Sequence, residues 1–123
     1  MGRYVVRKTS DDGFAFTIVA NNGEVIGVSQ TYRSKGSLNS GIESVRRNAN
    51  AHIEDQTLMK PESKSCPKWE IYMDRGEEYR FRLKASNGEI ILAASEGYST
   101  KVSAKNGIES IQSNIDSDIV NEG

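Results

Sequence analysis

Apolar and polar positions alternate from Phe14 to Ala20, with Phe16, Ile18 and Ala20 in step, and again from Tyr79 to Ala85, with Phe81, Leu83 and Ala85 in step. A period of two predicts strands that turn one face to a core. A short β-like segment precedes each strand, Arg3–Lys8 in one case and Lys68–Met73 in the other. Each pair is separated by a turn signal, Asp11-Asp12-Gly13 or Asp74-Arg75-Gly76. Asn22-Gly23 and Asn87-Gly88 then carry the dipeptide of a two-residue type I′ hairpin. A third strand is expected from Glu24 to Ser29 and from Glu89 to Ser95. The period next lengthens to that of a helix. Leu38, Ile42, Val45 and Ala49 form one apolar stripe, and Ala104, Ile108, Ile111 and Ile115 form another. Ser37 and Ser103 are the expected N-caps. Gly41 and Gly107 lie beside the stripes although glycine costs about 1 kcal/mol in a helix interior, which predicts a close approach of helix to sheet. A further extended segment follows each helix, around His52–Gln56 and Asp118–Glu122.

The pattern runs twice because the sequence does. FAFTIVANNGEVIG (residues 14–27) and YRFRLKASNGEIIL (residues 79–92) share six of fourteen positions, and SQTYRSKGSLNSGIESVRRN (29–48) and SEGYSTKVSAKNGIESIQSN (95–114) share nine of twenty. Two copies about 65 residues apart fit a pseudo-symmetric pair better than a solenoid. The expected organisation is a first repeat at 1–57, a polar linker at 58–67 bracketed by Pro61 and Pro67, and a second repeat at 68–123, together forming one compact α+β domain.

Asn22-Gly23-Glu24 with Asn87-Gly88-Glu89, Tyr32 with Tyr98, Lys35 with Lys101, and Gly41-Ile42-Glu43-Ser44 with Gly107-Ile108-Glu109-Ser110 are the shared motifs. In these the chain resembles the YegP-like family of small bacterial and archaeal proteins over nearly its whole length. The resemblance implies a β(3)-α-β unit occurring twice, with the last strand of each unit swapped onto the other to give one antiparallel sheet with two helices. It implies no biochemical function, because the family has none established. One departure is Thr31, where the second copy has Gly97 before the tyrosine.

Composition narrows the function classes. Hydrophobic residues are 36% of the chain and charged residues 27%, as in ordinary globular proteins, and the formal net charge is -1. Residues 1–50 carry seven Lys/Arg against four Asp/Glu, and residues 51–123 carry nine against thirteen. The first half is therefore mildly basic, too mildly to imply nucleic acid. No apolar run approaches the ~20 residues of a membrane span, and the N-terminus has no apolar signal region. Cys66 is the only cysteine, so no internal disulfide or Cys-x-x-Cys zinc site is available. A reducing cytoplasm is the expected setting. Any Ser-His-Asp or Cys-His pair would need His52, the only histidine, which falls in an expected strand beside the linker. Phosphate-binding glycine motifs are absent from the sequence. No metal, cofactor or catalytic residue is expected.

Two features remain as candidates. The first is the repeated loop of Tyr32, Ser34 and Lys35, matched by Tyr98, Thr100 and Lys101. Tyrosine, hydroxyl and lysine together suit an anion or a stacked base. The favoured reading is structural, with the ring packed on the helix start and the lysine stem along it. The second is the sheet face turned away from the helices. A two-residue turn at Asn22-Gly23 sets Val19 opposite Ile26 and Thr17 opposite Val28, so Val19, Ile26 and Val28 would form an outward apolar patch. The matching second-copy positions hold Lys84, Arg82 and Ile91, and Arg80, Arg82 and Lys84 make a cationic row. An exposed β-branched patch marks a protein contact, whereas a basic row suits nucleic acid. The sequence thus favours a non-enzymatic binding or protein-interaction module whose partner is a protein or a second copy. The alternatives are a nucleic-acid-associated protein and an enzyme of unrecognised type.

Overall fold

The computed structural model describes residues 2–60 and 62–122. The first repeat supplies β1 (Arg3–Lys8), β2 (Phe14–Val19), β3 (Val25–Val28), α1 (Lys35–Asn48) and β4 (Ile53–Asp55). The second supplies β5 (Lys68–Met73), β6 (Tyr79–Lys84), β7 (Ile90–Ala94), α2 (Lys101–Ser113) and β8 (Asp118–Glu122). All eight strands form one sheet in the order β4-β5-β6-β7-β3-β2-β1-β8. The terminal strands are exchanged: β4 leaves the first repeat to pair with β5, and β8 leaves the second to pair with β1. The sheet is mixed rather than wholly antiparallel. Both exchanged strands run parallel to their new neighbours, while every other pairing is antiparallel. Residues 56–67 join β4 to β5, a connection of the length that parallel neighbours require.

Each helix straddles the junction between repeats. α1 packs on β2 and β7, and α2 packs on β6 and β3. Phe16, Ile18, Phe81 and Leu83 from the middle strands meet Ile42, Val45, Ile108 and Ile111 from the helices in a single core. Neither repeat has a core of its own.

The hairpin turns differ from the expected two-residue form. Gly23 N–H donates to Ala20 O at 2.9 Å, Ala20 N–H donates to Glu24 O at 2.8 Å, and Gly23 alone in that turn takes positive φ, at 86°. This is a three-residue loop closed by a glycine bulge, and Gly88 repeats it with φ 85°. The extra residue slips the register by one beyond the Ile18–Gly27 pair, so that Val19 lies opposite Val25. A one-residue slip reverses the faces. Ile26, expected outward, is therefore buried in the core beside α2, as is Ile91 in the second copy, and Val25 points outward instead.

The helix starts also move. Ser34 and Thr100 are the N-caps, accepting from Ser37 N–H at 3.1 Å and Ser103 N–H at 3.0 Å. Ser37 and Ser103, expected to cap, are the capped residues.

The ends of the helices are held by donors from across the repeat boundary. Tyr4 Oη donates to Ile115 O at 2.7 Å, and Arg46 Nε donates to the same oxygen at 3.0 Å. The pseudo-symmetric position repeats this with different chemistry: Trp69 Nε1 donates to Ala49 O at 2.8 Å and Gln112 Nε2 at 2.9 Å. Helix-terminal carbonyls lack intrahelical partners. Trp69 and Gln112 satisfy the one at the α1 cap, and Tyr4 and Arg46 hold the Ile115 carbonyl just beyond the α2 cap, each clasp lying near the point from which an exchanged strand departs.

Candidate functional site

The repeated tyrosine loops sit at the helix starts. Tyr32 pairs its backbone with Phe14, and Tyr98 with Tyr79. Each ring stacks on a core phenylalanine, Tyr32 on Phe16 at 6.3 Å and Tyr98 on Phe81 at 6.0 Å. Each hydroxyl rests against the helix glycine. A Cβ at position 41 would overlap the Tyr32 hydroxyl, and one at position 107 would lie 2.7 Å from Tyr98 Oη. The glycines therefore admit the tyrosine, and burial raises both phenol pKa values. Ser34 and Thr100 are committed to capping. The two lysines differ: Lys35 lies over the Phe14 ring at 5.8 Å, whereas Lys101 pairs with Asp55 of the exchanged strand β4 at 2.9 Å. The Thr31/Gly97 difference is compensated nearby. Gly13 leaves room for Thr31 in the first copy, and Gly97 leaves room for Glu78, the counterpart of Gly13, in the second.

On the face opposite the helices the two halves differ. In the second half, Glu70 is buried and accepts from Arg82 at 2.5 Å, from Lys84 at 3.2 Å and from Lys68 at 3.2 Å. Lys68 also reaches Glu54 of β4 at 2.9 Å. Glu54 takes further hydrogen bonds from Gln56 and from the Lys64 N–H, and these with Lys68 bring its pKa down to about 2. Burial opposes ionisation of Glu70, but its hydrogen bonds from Arg82, Lys68 and Lys84 outweigh it and hold the pKa low. Arg82 lies 4.3 Å over the Tyr72 ring, and Arg80 binds Asp74 at 2.6 Å. The Arg80-Arg82-Lys84 row is thus matched by carboxylates.

The same positions in the first half are apolar. The sheet registers make Val5 the counterpart of Glu70, Val120 that of Glu54, Val19 that of Lys84 and Thr17 that of Arg82. Val5, Thr17 and Val19, though not Val120, belong to a shallow groove of about 450 Å³ lined by Arg3, Val5, Arg7, Thr17, Val19, Gly23, Val25, Val28 and Ser95. The structure brings Val19 and Val28 together here and excludes Ile26. The sequence reading missed Arg3, Val5, Arg7 and Val25. The Arg-x-Val-x-Arg alternation of β1 was a usable signal for the first three.

Elsewhere, His52 Nε2 is 2.7 Å from Ser65 O in the linker, and Cys66 is a half-buried free thiol. Among the described residues, no group of three or more His, Cys, Asp or Glu is placed to hold a metal ion, and no helix is long and apolar enough to cross a membrane.

The family model described as "Domain of unknown function (DUF1508)" matches residues 10–55 and again 74–122, one match in each repeat. The chain belongs to this DUF1508 family. A DUF1508-type relative, the UPF0339 protein YegP of Yersinia pestis, is 36% identical over 93% of this chain and 88% of its own length. The solution NMR structure of E. coli yegP, titled a protein of unknown function, superposes with a TM-score of 0.79 at 32% identity, covering 98% of this chain and 92% of that one. A UPF0339 protein of Shewanella oneidensis gives 0.76 at 31% identity, covering 98% and 90%. A UPF0339 protein of Agrobacterium fabrum is 60% identical over 47 residues, which are 38% of this chain but 74% of that protein, so that relative is about one repeat long. The family is described as a domain of unknown function, and the E. coli yegP structure carries the same description of its protein.

Proposed function

We propose that this protein is a non-enzymatic binding module, working in the cytoplasm, whose partner docks on the outer sheet face of the first half. One observation carries the reading: the two repeats keep their helix-facing residues alike and diverge on the outer face. Phe16 and Phe81, Ile18 and Leu83, and Ile42 and Ile108 are matched pairs in one core. Outside, a carboxylate-matched ion network occupies one half, and the other holds a groove with valines on its floor and Arg3 and Arg7 at its rim. Core packing alone would not require that difference. A β-branched surface between arginines has the composition of a protein contact. The nucleic-acid alternative draws little support from Arg80, Arg82 and Lys84, because each already faces a carboxylate. The repeated loop supports packing for Tyr32 and Tyr98, while Lys35 remains its more exposed polar group.

Affinity capture from lysate with wild type, Val19→Lys and Val25→Glu tests the reading. Val19 is enclosed within the sheet surface, but Val25 is 40% exposed, so a polar side chain there should leave the fold intact. A partner retained by wild type and by His52→Ala but lost from the folded Val25→Glu variant is the expected result. Equal capture by wild type and both groove variants would refute it.

A further inference from the structure

The ion network of the second half shows what the first half lacks. Lys68 corresponds to Arg3, and it is neutralised by Glu70 and Glu54. In the first half those two carboxylate positions hold Val5 and Val120. Arg3 and Arg7 are exposed and line the groove, and no carboxylate is among the residues that line it with them. We infer that the groove receives an extended segment of a partner protein in which two acidic residues flank a β-branched residue at alternate positions, acid-x-apolar-x-acid. This rests on the binding-module reading above.

The spacing supports that occupant. Arg3, Val5 and Arg7 share the outer face of β1, with Val5 between the two cations, and the arginine Cα atoms are about 13 Å apart at ~3.3 Å per residue. An extended peptide repeats the same distance between its residues i and i+4, so two carboxylates meet two guanidiniums while residue i+2 descends onto Val5, Thr17 and Val19. The protein already selects this pattern laterally. Its own β8 reads Asp118-Ile119-Val120-Asn121-Glu122 and lies in register with β1, Asp118 beside Arg3, Val120 beside Val5 and Glu122 beside Arg7. The groove offers the same three residues from above. Its floor has no aromatic side chain on which a base could stack, and the arginine spacing exceeds that of successive phosphates. A peptide is therefore the better-matched occupant.

The test uses the full chain and a fluorescein-labelled peptide, acetyl-Glu-Thr-Val-Thr-Glu-amide, with Lys-Thr-Val-Thr-Lys as control. Fluorescence polarisation should show binding of the acidic peptide alone, weakening as salt rises. Arg3→Glu, Arg7→Glu should weaken it roughly tenfold or more, and Val25→Glu should weaken it independently. Backbone NMR shifts should centre on Val5, Thr17, Val19 and Val28. Absence of binding at millimolar peptide would overturn the inference, as would equal binding of the lysine peptide. Shifts confined to the free edge of β8 would show strand addition instead. A wild-type dimer in sedimentation that Val25→Glu dissociates would show that a second copy fills the groove. If lysate capture remains sensitive to Val25→Glu while the acidic peptide fails to bind, the docking surface stands and only the occupant is wrong.

Discussion

Replacing Trp69 by Phe removes the indole N–H that holds the Ala49 carbonyl and leaves most of the ring packed against Phe81, whose centroid is 5.6 Å away. Trp69 is fully buried. The lost hydrogen bond costs about 0.5–1.5 kcal/mol, and the smaller ring brings the total to about 2 kcal/mol. Gln112→Leu alone should cost only about 0.5 kcal/mol, because Ala49 O keeps its Trp69 donor. The double variant behaves differently. Ala49 is fully buried, so its carbonyl would then have neither a protein donor nor water. An orphaned buried acceptor costs about 1–3 kcal/mol, and the double variant should exceed the sum of the singles by at least ~1 kcal/mol. A domain of this size has about 5–15 kcal/mol to lose, so it stays folded and measurable. Urea unfolding followed by circular dichroism suits the experiment, since Trp69 is the only tryptophan and its removal abolishes that fluorescence. The m-value should hold constant. Additivity within ~0.5 kcal/mol would refute the reasoning, showing that another donor or solvent reaches the carbonyl.

Two other outcomes follow from the fold. Ile42→Ala and Ile108→Ala, both at fully buried positions, should each cost about 2–5 kcal/mol and preserve one unfolding transition; two separated transitions would mean that the repeats fold independently. Glu54 has a folded pKa of about 2 against an ordinary 4.5, so its contribution is fully present above pH ~4.5 and disappears as pH falls towards 2. Glu54→Gln should be less stable than wild type at neutral pH and converge with it at pH 2, as read by denaturant midpoints across that range; a constant difference would remove Glu54 ionisation as the cause.

The parts legible in the sequence were those written locally and twice. Phe16-Ile18 and Phe81-Leu83 announce their strands by alternation, and Ile42-Val45 and Ile108-Ile111 announce their helices by spacing, because a burial pattern repeats with the geometry of its own element. Hairpin register was not legible to one residue. Asn-Gly is the dipeptide of a type I′ turn, yet here Asn21 and Asn22 make the turn and only Gly23 needs positive φ. That single residue decides whether Ile26 or Val25 faces solvent. Ser34 and Ser37 both have capping chemistry, and only the true start of the helix separates them. The parallel direction of β4 and β8 shows only once each has left its own repeat to pair with a strand of the other. The clasps escaped because Tyr4 and Trp69, or Arg46 and Gln112, share no residue type, only a donor at the right height. The outer groove lay hidden for a related reason: Val25 and Ser95, which both line it, become neighbours only once β3 pairs with β7 of the other repeat.

The exchange of β8 also imposes an order on synthesis. β1 leaves the ribosome well before its neighbour on the outer side, which begins at Asp118. At about 5–20 residues per second, that edge waits roughly 6–23 s for its partner. Throughout the interval the nascent first half presents an unpaired hydrogen-bonding edge beside Tyr4 and Val6, which the finished protein buries. A neighbouring nascent chain on the same message carries the same open edge and, when further advanced, the strand that fits it.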